Sequence, residues 1–270
     1  GCERMRQLLR NEYSRLWKNK LLYVVFGVEM LIVFLHFGYE VLRWKDVIAY
    51  GTYPLGVFQK WIGANWSSLY SWLYFMLLPL LLAIPYGGTF LEDIKTGYVK
   101  NVFTRIGKGE YLWSKFIVAF TTGILGLVPL VLDFMMTASV LPALIPQAST
   151  GVYHIGADYL YAELFYEHPY LYLGIWLLQD ILFLGMLAVS SLTVSFFCEY
   201  TYVPILFPFL LSMLSFGVGA AVGYAPLAMF HIISPAQTRG MSLGVIGAEF
   251  SLLLLIGGGY FYAGYKKELF

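Results

Sequence analysis

Residues 21–39 read LLYVVFGVEMLIVFLHFGY, and Glu29 is the only Asp, Glu, Lys or Arg in this stretch. A helix that crosses roughly 30 Å of bilayer hydrocarbon needs about 20 predominantly apolar residues. The stretch therefore predicts a transmembrane helix. Similar stretches recur along the chain, and only 12% of its 270 residues are charged, about half the content of a typical soluble domain. The sequence predicts an all-α integral membrane protein and excludes a soluble one.

About six such helices are predicted, in a single transmembrane domain over residues 1–270. Residues 225–240 are also apolar, but Pro226, Pro235 and Gly240 interrupt them. We predict a broken, re-entrant hairpin on the outer side there, because proline and glycine end helices. The predicted spans are Leu21–Tyr39, Ser67–Pro85, Lys115–Val140, Leu171–Phe197, Val203–Tyr224 and Met241–Tyr262.

The segment before the first span, residues 1–20, is predicted to form an amphipathic helix. Its apolar residues recur at helical spacing and basic residues occupy much of the remainder. A helix of this kind lies in the membrane interface, with its basic face toward anionic lipid headgroups. The apolar positions are Met5, Leu8, Leu9, Tyr13, Leu16 and Trp17.

The distribution of Lys and Arg predicts the orientation. Thirteen of the 17 basic residues lie in the N-terminal segment, in the 86–115 connector or in the tail at Lys266 and Lys267. Cytoplasmic loops carry an excess of Lys and Arg. Both termini and the connector are therefore predicted to be cytoplasmic, and the 141–170 loop extracellular. No basic, aromatic-rich arm is present, so the composition argues against nucleic-acid binding.

The connector between the second and third spans reads YGGTFLEDIKTGYVKNVFTRIGKGEYLWSK over residues 86–115. It resembles the cytoplasmic connector of ABC-2 type exporter permeases. In that family an acidic residue precedes a helix-breaking glycine, a short apolar helix, a turn with arginine and a lysine that begins span three. The matching positions here are Glu92 with Asp93, Gly97, residues 99–103, Arg105 and Lys115; Thr104 stands where the family often has proline.

The resemblance implies that two permease copies pair, and that two cytoplasmic ATPase subunits drive them from the bacterial plasma membrane. Residues 86–114 would be the coupling segment. ATP and magnesium would be bound by the partner, since this chain has no phosphate-binding loop and no predicted catalytic residue, metal or cofactor of its own. The plainer alternative is a solvated loop that retains positive charge. The residues implied in ATPase coupling are Glu92, Asp93, Gly97, Tyr98, Val102, Phe103 and Arg105.

Four acidic residues fall inside predicted spans at a similar depth: Glu29, Asp133, Asp180 and Glu249. Acids inside a membrane are costly and usually face a bundle interior or a cavity. One hypothesis is that they line a translocation path for a cationic or amphipathic substrate. The alternative is that each is a separate buried acid that hydrogen-bonds between helices.

Three function classes remain open from the sequence. The first is the permease of an ATP-driven exporter, with an amphipathic peptide favoured as substrate because 19% of residues are aromatic. The second is a secondary transporter driven by an ion gradient through the intramembrane carboxylates, although no inverted repeat of the kind found in many such transporters is visible. The third is a membrane partner that does not transport, such as an immunity or sensor subunit.

Overall fold

The computed structural model describes residues 2–49 and 53–266. Gly1, residues 50–52 and residues 267–270 lie outside it, and with them the predicted basic tail residue Lys267. The structure is 72% helical with almost no strand. Five helices are long and apolar enough to cross a membrane. The prediction of an all-α membrane protein is therefore confirmed at the level of fold class.

Thirteen α-helices form the described chain. A two-stranded antiparallel hairpin, β1 (Ile48–Ala49) and β2 (Tyr53–Pro54), follows α2. The helices are α1 (Cys2–Lys18), α2 (Lys20–His36, continued by a π-helical turn at Phe37–Leu42), α3 (Val57–Lys60), α4 (Leu69–Leu81), α5 (Thr89–Lys95), α6 (Tyr98–Phe103), α7 (Lys108–Leu125), α8 (Val128–Val140), α9 (Ala162–Glu167), α10 (Pro169–Val194), α11 (Tyr202–Val222), α12 (Met229–Ile232) and α13 (Leu243–Lys266).

The predicted second span is shorter than expected. Helix α4 has 13 residues, which gives about 20 Å of length at about 1.5 Å per residue and is less than the hydrocarbon thickness. Turns follow over residues 82–88, where Pro85 cannot continue a helix. Among the described residues, five helices are long and apolar enough to cross a membrane, and the predicted second span corresponds to the shorter apolar helix α4.

The predicted third span differs at its start and in its middle. Helix α7 begins at Lys108, so residues 108–114 of the predicted connector are helical and continuous with the predicted third span. The helix then breaks at Gly126 and Leu127 before α8. Pro129 explains the break, because proline has no N–H and its ring clashes with the carbonyl four residues earlier.

Helix α10 is the centre of the bundle and packs against α7, α11 and α13. A glycine of α7 faces it: a Cβ atom added at Gly123 would overlap the backbone carbonyl of Leu184. Small residues allow helix backbones to approach closely in membranes. The α7–α10 contact therefore depends on the absence of a side chain at Gly123.

Two segments outside the long helices fold into the core. The segment between α2 and α4 buries Val57, Phe58, Trp61 and Ile62, and the Trp61 indole donates a hydrogen bond to the Leu130 carbonyl at 2.9 Å. The predicted broken hairpin at 225–240 forms short helical turns and places Met229, Ile232 and Ile233 in the same hydrophobic cluster. Both segments lie at the end of the bundle opposite α5 and α6.

Candidate functional site

A buried cluster of ion pairs joins α1, α5 and α7. The ammonium of Lys115 is fully buried and lies 2.9 Å from Oε2 of Glu12 and 2.7 Å from Oδ2 of Asp93. Arg15 binds the Asp93 carboxylate with two nitrogens, at 2.9 and 2.8 Å, and also contacts Glu12 at 3.2 Å. Two basic and two acidic side chains therefore neutralise one another. We call Glu12, Arg15, Asp93 and Lys115 the ion-pair cluster.

Two buried tyrosines complete the cluster. The Tyr86 hydroxyl donates to Oε2 of Glu12 at 2.7 Å, and the Tyr111 hydroxyl donates to Oδ2 of Asp93 at 2.7 Å. Their rings lie 5.1 and 5.7 Å from the Lys115 nitrogen, within the range of cation–π attraction. A buried ion pair stabilises a fold only when its remaining polar atoms are also satisfied, and these hydroxyls meet that condition.

Asp93 is held in its ionised form. Burial alone would raise its pKa, but the hydrogen bond from Arg15 and the charge and hydrogen bond of Lys115 outweigh burial and leave the pKa below the usual aspartate value. The hydrogen bond to Asp93 likewise raises the pKa of Arg15. Asp93 and Arg15 therefore stabilise each other in their charged forms.

Local sequence explains how α1 contributes Glu12. Leu8, Glu12 and Leu16 are spaced four residues apart, lie on one face of the helix and are all buried. Leu16 belongs to the hydrophobic cluster around Tyr86 and Tyr111. The apolar face predicted to meet the membrane therefore packs in part on protein. Glu12 was not among the residues predicted from the sequence, although an acid inside an apolar stripe is a signal that indicates such a contact.

The residues implied in ATPase coupling divide into an outer and an inner set. Glu92, Tyr98 and Arg105 are exposed, whereas Asp93 and Val102 are buried inside the protein. Of the apolar residues implied in coupling, Tyr98 is exposed and Phe103 is half-buried, whereas Val102 packs in the hydrophobic core of this chain.

The break between α5 and α6 has the backbone conformation that glycine favours. Gly97 precedes α6 with φ 72°, in the left-handed region that costs most other residues energy. The short helix expected at 99–103 is present as α6, Tyr98–Phe103. Gly97 is therefore a structural residue that turns the chain between the two short helices.

Among the intramembrane acids, Asp133 is the one with clear partners. It is fully buried, lies 3.1 Å from the Nδ1 of buried His36, and accepts a hydrogen bond from the Ile62 backbone N–H at 2.8 Å. Asp133 thereby joins α8 to the end of α2 and to the buried 57–65 segment. This arrangement corresponds to the alternative of an acid that holds structural elements together.

Two further acids lie on helices that pack against α4. Glu29 belongs to α2 and Asp180 to α10, and the buried Tyr74 hydroxyl of α4 donates a hydrogen bond to the Gly126 carbonyl at 2.5 Å. Neither carboxylate oxygen of Asp180 has a hydrogen-bond partner among the described residues. Glu249, on α13, is half-buried.

No protein-family model matches the chain, and no curated protein matches it significantly. Within residues 2–49 and 53–266, no group of three or more His, Cys, Asp or Glu side chains is arranged to hold a metal ion. The role of the ion-pair cluster therefore follows from its own residues. Its chemistry is that of charge-assisted contacts between helices, with a charged outer surface on α5 and α6.

Proposed function

We propose that this chain is the membrane permease of an ATP-driven exporter of the ABC-2 type, and that a separate ATPase subunit supplies the energy. One observation carries the proposal. The α5–α6 segment presents Glu92, Tyr98 and Arg105 outward, while its Asp93 is bound to Lys115 of α7 at 2.7 Å. A partner that moved the outer side chains would thereby move a transmembrane helix.

The strength of this connection supports a mechanical role. Hydrogen bonds that involve ionised groups are about twice as strong as neutral ones, and the cluster has six contacts of 2.9 Å or less among its charged groups and the two tyrosines. Arg15 extends the connection to α1. In this proposal the α5–α6 segment therefore moves together with α1 and α7, unless the ion pairs between them break.

In this proposal two permease copies pair in the bacterial plasma membrane with both termini cytoplasmic. Each copy meets one ATPase subunit, which binds ATP and magnesium, and the permease itself catalyses no reaction. When ATP binding closes the two ATPase subunits together, they would displace α5 and α6, and these helices would displace α7. The exported molecule is amphipathic, and a peptide suits the aromatic content of the chain.

The test is co-expression of the tagged chain with the ATPase encoded beside it, followed by purification in nanodiscs and measurement of ATP hydrolysis. Glu92→Ala/Arg105→Ala is expected to reduce co-elution of the ATPase while the permease remains folded. The matched control is Asp158→Ala/Arg239→Ala, which removes an exposed acid–base pair at the opposite end of the bundle. Co-elution that falls equally in both variants, or in neither, would contradict the proposal.

A second candidate function rests on the intramembrane acids. A buried carboxylate without a partner, such as Asp180, is costly in a membrane and is typical of proton or cation pathways. A secondary transporter would require Asp180 and would work without an ATPase. Proteoliposomes that hold the chain alone and transport under a pH or cation gradient, but fail with Asp180→Asn, would favour this candidate over the exporter.

A further inference from the structure

A cavity of about 320 Å³ lies between α4, α11 and the 228–238 segment, at the end of the bundle opposite the ion-pair cluster. Its walls are mainly aromatic, and the rings come from four separate parts of the chain. Small-ligand pockets have volumes of roughly 300–1,000 Å³, so the cavity suits one ring system rather than a whole peptide. The aromatic lining residues are Trp66, Trp72, Phe75, Phe216 and Phe230.

One polar atom in the cavity lacks a partner. Ser71 is 5% exposed, lines the cavity, and its hydroxyl has no hydrogen-bond partner among the described residues. A buried hydroxyl left without a partner costs free energy. The neighbouring Gln237 is already engaged, because its amide bonds both the N–H and the carbonyl of Leu160. Ser71 therefore offers a ligand a buried hydroxyl that has no partner in the protein.

The described side chains that line the cavity carry no formal charge at neutral pH. No Asp, Glu, Lys or Arg occurs among the described residues that line it. Burial lowers the pKa of both histidines in the wall, His154 and His231, and His154 stacks on Trp66 with ring centroids 4.5 Å apart. A cationic group would be attracted to the aromatic faces but would lack a counter-ion once buried. A neutral ligand fits better.

We infer that this cavity binds a neutral aromatic side chain that carries one hydrogen-bond donor, the indole of tryptophan or the phenol of tyrosine, from the exported amphipathic molecule. The ring stacks against Trp72 and Phe216, and its N–H or O–H donates to Ser71. Aromatic pairs gain energy beyond simple burial when stacked at an offset or edge-to-face. An aliphatic chain would leave Ser71 without a partner.

The inference rests on the proposed function, because that function supplies the ligand, but its test needs no ATPase. The chain alone is placed in nanodiscs, and binding of N-acetyl-tryptophanamide is measured by saturation-transfer NMR against empty nanodiscs. N-acetyl-leucinamide is the comparison probe. We expect the tryptophan probe to bind at least tenfold more tightly than the leucine probe.

Two variants locate the binding. Ser71→Ala removes the hydroxyl with almost no change in shape and is expected to weaken binding about three- to tenfold, the effect of one hydrogen bond. Trp72→Leu should weaken it similarly, whereas Trp17→Leu on α1, far from the cavity, should have no effect. Equal affinity for the two probes, or unchanged affinity in both cavity variants, would overturn the inference. Binding that persists in a chain that associates with no ATPase would leave the cavity assigned and contradict only the exporter proposal.

Discussion

The Lys115 ammonium lies 2.7 Å from the Asp93 carboxylate and is completely buried between α7 and α5. Glu12 of α1 approaches the same nitrogen at 2.9 Å. One lysine thus holds two acids from segments that are far apart in sequence, and Arg15 balances the second negative charge. The contact between the proposed ATPase-facing surface and the membrane helices depends on this lysine.

Replacement of Lys115 is expected to destabilise the fold strongly. Lys115→Met leaves two buried carboxylates with a single arginine, and removal of one partner from a buried ion pair costs about 3–5 kcal/mol. Unfolding titrations in detergent micelles measure the free energy of unfolding. Lys18→Met, at an exposed basic position of α1, is the control and should change this free energy little.

The same cluster predicts a compensating variant. Glu12→Gln/Lys115→Met removes one charge of each sign and leaves the Arg15–Asp93 pair, so the double variant should be more stable than Lys115→Met alone. Contacting groups give such non-additive effects. A double variant whose loss equals the sum of the two single losses would show that Glu12 and Lys115 are not coupled.

The pH dependence of stability should reveal the protonation of the Asp93 carboxylate. Because the pKa of Asp93 is lower in the folded protein than in the unfolded chain, its contribution is complete above the ordinary aspartate pKa of about 3.9 and is lost as the pH falls toward the folded value. The difference in melting temperature between wild type and Asp93→Asn should be constant from about pH 5 to 7 and shrink below about pH 4. A difference that already shrinks near pH 6 would contradict this assignment.

Two positions one turn apart on α6 should distinguish a residue that contacts the ATPase from one that packs in the core of this chain. Tyr98→Ala changes a side chain that is 41% exposed and should reduce ATPase stimulation with little loss of stability. Val102→Ala removes two buried methyl groups and should cost about 2 kcal/mol of unfolding free energy. The readouts are hydrolysis by the co-purified ATPase and unfolding titrations. Equal losses of unfolding free energy in both variants would contradict the assignment of Tyr98 to the exposed surface and of Val102 to the core.

Close approach of α7 and α10 should make Gly123 intolerant of a side chain. Gly123→Ala places a methyl group into the Leu184 backbone, and overpacking of this kind costs about 1–3 kcal/mol. Gly174→Ala is the matched control, because a Cβ atom at that α10 position meets open space. Thermal unfolding should show a lower melting temperature for Gly123→Ala only. A similar melting temperature in both variants would mean that α7 and α10 move apart without a loss of stability.

Several features were predictable because they depend on nearby residues. An apolar run without charge, such as 21–39, predicts a membrane helix from its own transfer energy. The turn at Gly97 and the short helix after it were expected from the resemblance of the connector to a known family pattern, and both are present. Helix α7 begins seven residues before the predicted span, since Lys108 and Glu110 resemble a connector in composition and only the backbone hydrogen bonds show that they are helical.

The sequence by itself determined that this is a helical membrane protein, because apolar length and low charge are properties of each segment. Only the tertiary structure decided that Glu12, Asp93 and Lys115 meet, that Val102 faces inward and that residues 57–62 enter the core. These contacts join residues distant in sequence. They form because a buried charge must find an opposite charge and an apolar side chain packs where the assembled helices leave space for it.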